Sequence, residues 1–254
     1  MQFSKSLMLL AALTTGTLAR PTGVERRATT TSASSNSDWT STPSSGSYAT
    51  SGFGSSTSSS GTGVTYAGNV GNPYGSNIIE VSSSEASQYK YVAQFKGSNT
   101  DDWTVAIFNK YGKDGKMDGW YGQACNTFTL AAGETKYIAF DDDSQGGWAA
   151  ASGSTIPTDS SGGYASTWGE FDFGSTTNNG WSGFDVSAIA AQNADMSISG
   201  MKICDALGST CSSITKDAAT VDNAYTSAET DVGGIGANIA SGPVRLAVTI
   251  DYSS

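Results

Sequence analysis

The chain has 254 residues, a formal net charge of −10 and no histidine. This acidity repels anionic polymers, so we expect no binding to nucleic acid. The absence of histidine excludes Ser-His-Asp and Cys-His catalysis, histidine-bound copper and nearly all catalytic zinc sites. We therefore expect no metal and no cofactor, and any proton transfer must fall to carboxylates.

The first 27 residues predict export from the cell. Residues 1–19 contain an early lysine, an apolar run and small residues ending at Ala19, which is the pattern of a secretory signal peptide. Residues 20–27 end in the dibasic pair Arg26-Arg27, which predicts a propeptide junction; the alternative is two solvated arginines in a disordered tail. No later apolar run is long enough for a membrane span, so we expect a secreted, extracellular protein, with the cell wall as a candidate location.

Residues 28–63 are dominated by serine, threonine and glycine. Such a composition cannot bury enough apolar surface to offset the entropy of the chain, so we expect a disordered stalk here. Its hydroxyl groups are candidate O-glycosylation sites.

Residues 64–254 have the composition of one folded domain. Short β-branched or aromatic runs predict strands at 77–81, 89–95, 103–109, 126–130, 135–140, 168–173, 196–204 and 244–252. Turn signals such as "GKDGKMDG", "AAGET", "DDDSQGG" and "TTNNG" separate them. Only "SAIAAQNA" and "SAETDVGGIGANIA" suggest short helices. Strands without βαβ alternation predict an all-β fold, an antiparallel β-sandwich.

Three cysteines leave one without a partner in a secreted chain. Cys204 and Cys211 flank a short turn and are the best candidates for a local disulfide, which leaves Cys125 as a free thiol. Pairing of Cys125 with either of the other two, or with a second molecule, stays open.

Strand alternation gives the acidic residues of "TWGEFDFGSTTNNGWSGFDVSAI" a common orientation. The phenylalanines face the core, and the opposite face carries Trp168, Glu170, Asp172 and Asp185. Two carboxylates beside an aromatic ring suit a glycan site, where the ring stacks on a sugar and the acids handle protons. The alternative is the solvated face of an antiparallel sheet.

Two further groups are candidates for carbohydrate contact. Asp141, Asp142 and Asp143 form the densest charge run, which indicates either a solvated turn or, without EF-hand spacing, an oxygen-rich ligand site. Trp148 and Trp181 each stand beside glycine, which predicts loop positions. Their rings serve either as a stacking platform or as packing over the ends of the sandwich.

Long blocks of the sequence resemble a family of secreted fungal allergens, that of the Aspergillus allergen Asp f 4. They include "YKYVAQFKG", "WTVAIFNKYGKDGKMDGWYG", "FTLAAGETKYIAFDDDSQGG", "TWGEFDFG" and "VRLAVTIDYS", and the resemblance spans roughly residues 66–254. It implies an extracellular fungal protein that is recognised by IgE and has no established activity.

The segment "GEFDFG…GWSGFDVSAIAAQNADMSI" is more distantly similar to thaumatin-like proteins. That resemblance implies a thaumatin-like sandwich with an acidic cleft for β-1,3-glucan, in which Glu170 matches the cleft glutamate and Asp185 an aspartate. The next cleft aspartate falls near Ala190, the cleft arginine has no clear counterpart, and the dense disulfide framework of plant members is absent.

Together these patterns predict a monomeric, noncatalytic extracellular protein that binds β-glucan, with cell-wall polysaccharide or host proteins including IgE as partners. The alternative is a weak β-1,3-glucan hydrolase in which Glu170 is the acid and Asp185 the base or charge stabiliser.

Overall fold

The computed structural model describes residues 38–253, and strands dominate it. Their bounds are β1 Ile78–Val81, β2 Tyr91–Gly97, β3 Trp103–Asn109, β4 Asn126–Leu130, β5 Thr135–Phe140, β6 Ser144–Ser152, β7 Trp168–Ser175, β8 Trp181–Ser187, β9 Met201–Asp205, β10 Cys211–Ile214, β11 Val221–Asp222, β12 Ala237–Ile239 and β13 Val244–Ile250. One short α-helix, α1, spans Ile189–Asn193. Single 3₁₀ turns occupy Gly63–Thr65, Ala86–Gln88, Thr176–Asn178, Lys216–Ala218 and Ser227–Glu229.

The strands form two sheets that pack as a sandwich. One sheet has the order β1-β5-β2-β13-β9-β10-β11 and the other β12-β8-β7-β6-β3-β4. The pairs are antiparallel except for β2 and β13, which run parallel from Tyr91 beside Val244 to Gly97 beside Ile250. The predicted antiparallel β-sandwich is therefore confirmed, with one parallel pair in its larger sheet.

The two segments predicted as helices have different outcomes. "SAIAAQNA" contains α1. "SAETDVGGIGANIA" makes only the 3₁₀ turn at Ser227–Glu229 before it becomes strand β12. Gly234 and Gly236 both have positive φ, a conformation that ends a helix, and this is the physical reason for the difference.

An aromatic core fills the space between the sheets. Phe171 and Phe173 of β7 point into it, as alternation predicted, and Phe171 stacks on Trp148 at 5.9 Å between ring centroids. Trp148 was predicted in a loop; it lies instead in the middle of β6 and is fully buried. A Cβ on its cross-strand partner Gly169 would lie 2.3 Å from the Trp148 ring, so this glycine makes room for the indole.

A second, smaller aromatic cluster covers the outer face of the six-stranded sheet. Phe108 packs edge-on against Trp168 at 5.1 Å, and Trp120 lies 6.3 Å from the same ring. Ala190, on helix α1, is partly buried against this cluster. Part of the outer face is therefore a second core rather than a solvated surface.

Residues 38–59 form an N-terminal strap over the outer face of the larger sheet. Trp39 packs on Tyr137 at 6.0 Å and Phe53 on Tyr89 at 5.5 Å. Buried Arg245 donates hydrogen bonds to the carbonyls of Trp39 (3.0 Å) and Ser41 (3.2 Å). Residues 38–59 of the segment predicted as a disordered stalk therefore make specific contacts, because a few aromatic side chains and one buried guanidinium fix a segment that is otherwise polar.

The predicted signal peptide, the cleavage position at Ala19, the Arg26-Arg27 site and residues 28–37 lie outside the described residues. Within 38–253, none of the helices is long and apolar enough to cross a membrane. Cys204 and Cys211 form a disulfide, and Cys125 is a free cysteine.

Candidate functional site: a buried carboxyl pair in a cleft

Glu170 and Asp185 are cross-strand partners. Glu170 on β7 stands directly opposite Asp185 on β8 in the antiparallel register. Directly opposed residues have Cβ atoms about 4.5–5.5 Å apart, so this register keeps the two carboxyl groups below the upper limit of roughly 10 Å for the acids of glycoside hydrolases. Both side chains are buried, with exposed fractions of 6% for Glu170 and 9% for Asp185.

Burial gives this pair unusual acid–base properties. It raises the pKa of Glu170 to about 7, while the charge of Lys110 opposes that increase. The pKa of Asp185 is raised well above its usual value by burial and further by the neighbouring charge of Glu170. Two like charges at this distance do not ionise together in a dry site. The pair therefore retains a proton at acidic to neutral pH.

Asp172 extends the acidic site along β7. It is partly exposed and has Gln145 of β6 as its cross-strand neighbour. Burial raises the pKa of Asp172 to about 7, with Gln145 acting in the opposite direction. Strand alternation places its side chain on the same face of β7 as that of Glu170. The outer face thus brings three carboxyl groups together.

Lys110 supplies positive charge behind these acids. Its side chain is fully buried, and Nζ donates a hydrogen bond to the carbonyl of Tyr66 at 3.1 Å. Burial lowers the pKa of Lys110, and the negative charges of Asp172 and Glu170 oppose that decrease. The charge of this buried lysine therefore favours ionisation of Glu170 and Asp172.

A small cleft, partly open to solvent, lies over the acids. Its acidic lining is Glu170, Asp172 and Asp185, and its rim is formed by residues 234–238 together with Asn178. Asp185 Oδ1 is buried and has no hydrogen-bond partner among the described residues. The cleft thus contains an acceptor that the protein itself leaves unused.

Gly236 closes the rim against Asp185. It has a φ of +100°, and a Cβ at this position would lie 2.7 Å from the Cβ of Asp185 and 2.4 Å from the carbonyl oxygen of Phe184. A larger residue cannot occupy this place without moving the rim. The glycine backbone therefore forms the wall beside the acid.

The structure separates the tryptophans that the sequence grouped as sugar contacts. Trp168 is 6% exposed and donates from Nε1 to the carbonyl of Tyr164 at 3.1 Å, so its ring belongs to the outer aromatic cluster. Trp148 is in the main core. Trp181 is 36% exposed and directly precedes Ser182, which lines the cleft. Trp181 alone of these three is placed to meet a ligand.

The acids of the 141–143 run bind other parts of the protein, and two of them contact the segment that precedes β1. Asp141 accepts from Ser56 at 2.7 Å, and Asp143 accepts from the hydroxyl of Tyr66 at 2.6 Å. Asp142 forms an ion pair with Lys90 at 2.6 Å. None of the three lines the cleft, and residues 38–253 contain no group of three or more acidic or cysteine side chains arranged to hold a metal ion.

Sequence reasoning missed the rim and the buried lysine. Glycines 233, 234 and 236 counted only as weak points of a helix, although a glycine cluster is also a signal of close backbone approach. Lys110 follows β3 as an ordinary polar residue, and the sequence offers no sign of its burial.

Comparisons with known proteins place the chain in a family. The model of the Allergen Asp f 4-like domain matches residues 76–250. Allergen Asp f 4 of Aspergillus fumigatus is 56% identical over 215 residues, covering 85% of this chain and 67% of the relative. A crystal structure of the protein elicitor MoHrip2 from Magnaporthe oryzae matches 64% of this chain and 99% of its own length, with 15% identity and a TM-score of 0.40, too low a likeness to bear on function. By the extent of the family match and the identity to its relative, the chain belongs to the Asp f 4-like allergen family.

Proposed function

We propose that this chain is a secreted fungal protein that binds β-glucan in the carboxyl cleft and has no catalytic role. The observation that carries the proposal is the Glu170–Asp185 pair at the cleft, with Asp185 Oδ1 free to accept a hydrogen bond. Sugar hydroxyls are donors that match such an acceptor, and a hydrogen bond of this kind contributes about 0.5–1.5 kcal/mol. A neutral polysaccharide also avoids repulsion by an acidic protein.

The rest of the cleft supports a sugar rather than an apolar ligand. Its rim includes Gly234, whose lack of a side chain lets the backbone approach a ligand closely. Trp181 stands at the adjoining position with an exposed ring, and aromatic rings stack on sugar faces. One exposed tryptophan beside a polar cleft suits a single glycan chain.

Family membership supports the wider setting of the proposal. A relative that is named as an allergen is a protein that the host meets, so we extend to this chain an extracellular, wall-associated location and recognition by host IgE. The likeness to thaumatin-like proteins stays a prediction that points to the same ligand. We propose that the protein acts as a monomer.

Pulldown on insoluble β-1,3-glucan tests the proposal. The wild-type chain should co-sediment, and Glu170→Gln and Asp185→Asn should each weaken binding by up to about 10-fold, as expected for the loss of one hydrogen bond. Asp222→Asn is the matched control, because Asp222 is exposed on β11, and it should bind like the wild type. Failure of the wild type to sediment would overturn the proposal.

Hydrolysis of β-1,3-glucan is a second candidate, favoured by the direct opposition of the two acids. Retaining glycosidases hold their carboxyl groups about 5–5.5 Å apart, a spacing that this register permits. Glu170 would donate its proton to the glycosidic oxygen as the bond to the anomeric carbon breaks. Asp185 would have to be ionised to stabilise the positive charge that develops there, although its raised pKa favours the protonated form, and water would complete the cleavage.

Two features place binding ahead of hydrolysis. Arg245, the one arginine in residues 38–253, binds backbone carbonyls of the larger sheet, so the cleft has no arginine. Ala190 packs against the outer aromatic cluster and has no carboxyl group where the thaumatin-like resemblance expects a cleft aspartate. Reducing-sugar release measured alongside the pulldown separates the candidates: release that Glu170→Gln abolishes would establish hydrolysis, and binding without release would exclude it.

A further inference from the structure

We infer that Asn223 is a positioning residue of the cleft: its side-chain amide holds Gly236 against Asp185 and so controls how water and ligand reach the carboxyl pair. The ligand part of this inference rests on the proposed function. The positioning part rests on hydrogen bonds and close contacts alone.

The edge of β8 explains why the rim needs such a residue. Strand β12 pairs with residues 182–184 of β8, while Tyr225 pairs with Ser187 further along the same edge. Asp185 lies at the gap between these two partners, where continuous strand pairing is broken. Gly236 occupies this gap, so its position decides how far Asp185 is covered.

Asn223 bonds both backbone groups of Gly236. Its Oδ1 accepts from the Gly236 N–H at 2.9 Å, and its Nδ2 donates to the Gly236 carbonyl at 3.0 Å. Because a backbone N–H and C=O are both satisfied by one side chain, the glycine cannot shift without losing two hydrogen bonds. Asn223 therefore fixes the rim at Gly236, just beyond the point where the pairing of β12 with β8 ends.

Asn223 is itself anchored to a rigid part of the fold. Nδ2 also donates to the carbonyl of Cys211 at 2.9 Å, and Cys211 is joined to Cys204 by the disulfide. The next residue, Ser212, accepts from the backbone N–H of Val186 at 2.8 Å. Strand β10 thus links the disulfide, the rim and β8 beside Asp185.

Tyr225 supports the rim from the same segment. Its hydroxyl accepts from the backbone N–H of Ile235 at 3.2 Å, and its side chain is buried. The ionisable groups that act on Asp185 and its partner are Glu170 on β7, Lys110 after β3 and Tyr225. Asn223 adds no charge to this set, so it affects the acids only through the rim.

Asn223→Gly is the test variant. Asn223 has a φ of +50°, which glycine adopts without strain, so the variant removes three hydrogen bonds and keeps the backbone conformation. Asn179→Gly is the matched control, since Asn179 is also exposed and has a φ of +55°.

Carbon-13 NMR of the Glu170 and Asp185 carboxyl groups, followed against pH, gives a readout that general destabilisation does not produce. In folded Asn223→Gly, water should reach Asp185 and lower the pKa of that carboxyl relative to the wild type, since hydration favours the charged form. Asn179→Gly should titrate like the wild type. An unchanged titration in Asn223→Gly would overturn the inference, as would a wild-type Asp185 that titrates like an exposed aspartate.

Binding of a soluble β-1,3-glucan oligosaccharide adds the second readout. Asn223→Gly should bind about 10-fold more weakly, the equivalent of one or two hydrogen bonds, and Asn179→Gly should match the wild type. If the wild type binds no glucan, the proposed function fails while the titration still decides the role of Asn223. If the wild type binds and Asn223→Gly binds equally well, Asn223 does not position the cleft.

Discussion

Glu170 and Asp185 face each other across neighbouring antiparallel strands, and at least nine-tenths of each side chain is buried. Burial stabilises the protonated form of each carboxyl, and the charge of either acid disfavours ionisation of the other. The pair is therefore costly for the folded protein once both groups must ionise. The pair also keeps one proton bound beside an open cleft.

Stability should fall as pH rises. The pKa of Glu170 increases from 4.5 to about 7 on folding, so between these values the folded state binds more protons than the unfolded state. The free energy of unfolding should then decline across this window, by about 3 kcal/mol from Glu170 alone. Urea unfolding at a series of pH values measures it.

Glu170→Gln should flatten the decline of the unfolding free energy with pH, because an amide does not titrate. The loss of the Glu170 charge should also lower the pKa of Asp185. Asp222→Asn, which changes an exposed acid, should leave the slope intact. A wild-type protein whose stability is constant or increases between pH 4.5 and 7 would show that these carboxyls are solvated.

Arg245 should be indispensable for stability. Burial lowers its pKa to about 10, so it stays charged at neutral pH while it donates to six backbone carbonyls, two of them in the N-terminal strap. Arg245→Met leaves these carbonyls without their donor and should cost more than about 3 kcal/mol in urea unfolding.

Lys96→Met is the control for Arg245, since Lys96 is an exposed cation on the parallel partner strand β2, and it should change stability little. Deletion of residues 38–59 should also destabilise the fold and increase cleavage by proteases. A deletion variant as stable as the wild type would mean that the strap is not part of the domain.

Truncation of Trp148 should destabilise the protein much more than truncation of Trp181. Trp148→Ala opens a cavity in the main core and should cost about 3–5 kcal/mol, whereas Trp181→Ala, at an exposed position, should cost less than about 1 kcal/mol. Glucan should alter tryptophan fluorescence in the wild type but not in Trp181→Phe. An equal response in both proteins would place the ligand elsewhere.

Cys125 should be the single titratable thiol. Burial raises the pKa of its thiol, and the other two cysteines form the disulfide. A thiol reagent should react slowly with native protein and should count one thiol per chain after unfolding without reductant. A count of zero would indicate a bond between two molecules, and a count of three would exclude the disulfide.

Alternation predicted orientation well but did not predict what covers each face. It placed the phenylalanines of β7 in the core and Glu170 with Asp172 on the other side, as the structure shows. Trp168 shares that face, yet loop residues such as Trp120 and Tyr164 cover it. A period-2 pattern contains no information about loops that return over a sheet from distant parts of the chain.

Strand β6 was predicted as a turn because of its small residues. "SQGGWAAA" contains a glycine pair that suggested a turn, but a Cβ on Gly146 would lie 2.0 Å from the carbonyl oxygen of Phe108. These glycines are present because strand β3 approaches closely, which only the tertiary structure shows. The pairing of Glu170 with Asp185 was equally beyond the sequence, because it depends on the register across the "TTNNG" turn.

The central claim, that β-glucan binds in the carboxyl cleft, is tested most directly by NMR chemical-shift mapping. A soluble β-1,3-glucan oligosaccharide is added to the labelled protein. The account predicts shifts concentrated in the carboxyl groups of Glu170 and Asp185 and in the backbone amides of residues 234–238. These shifts should disappear in Asp185→Asn. Saturating oligosaccharide that leaves the cleft signals unchanged, or that shifts only the strap, would contradict it.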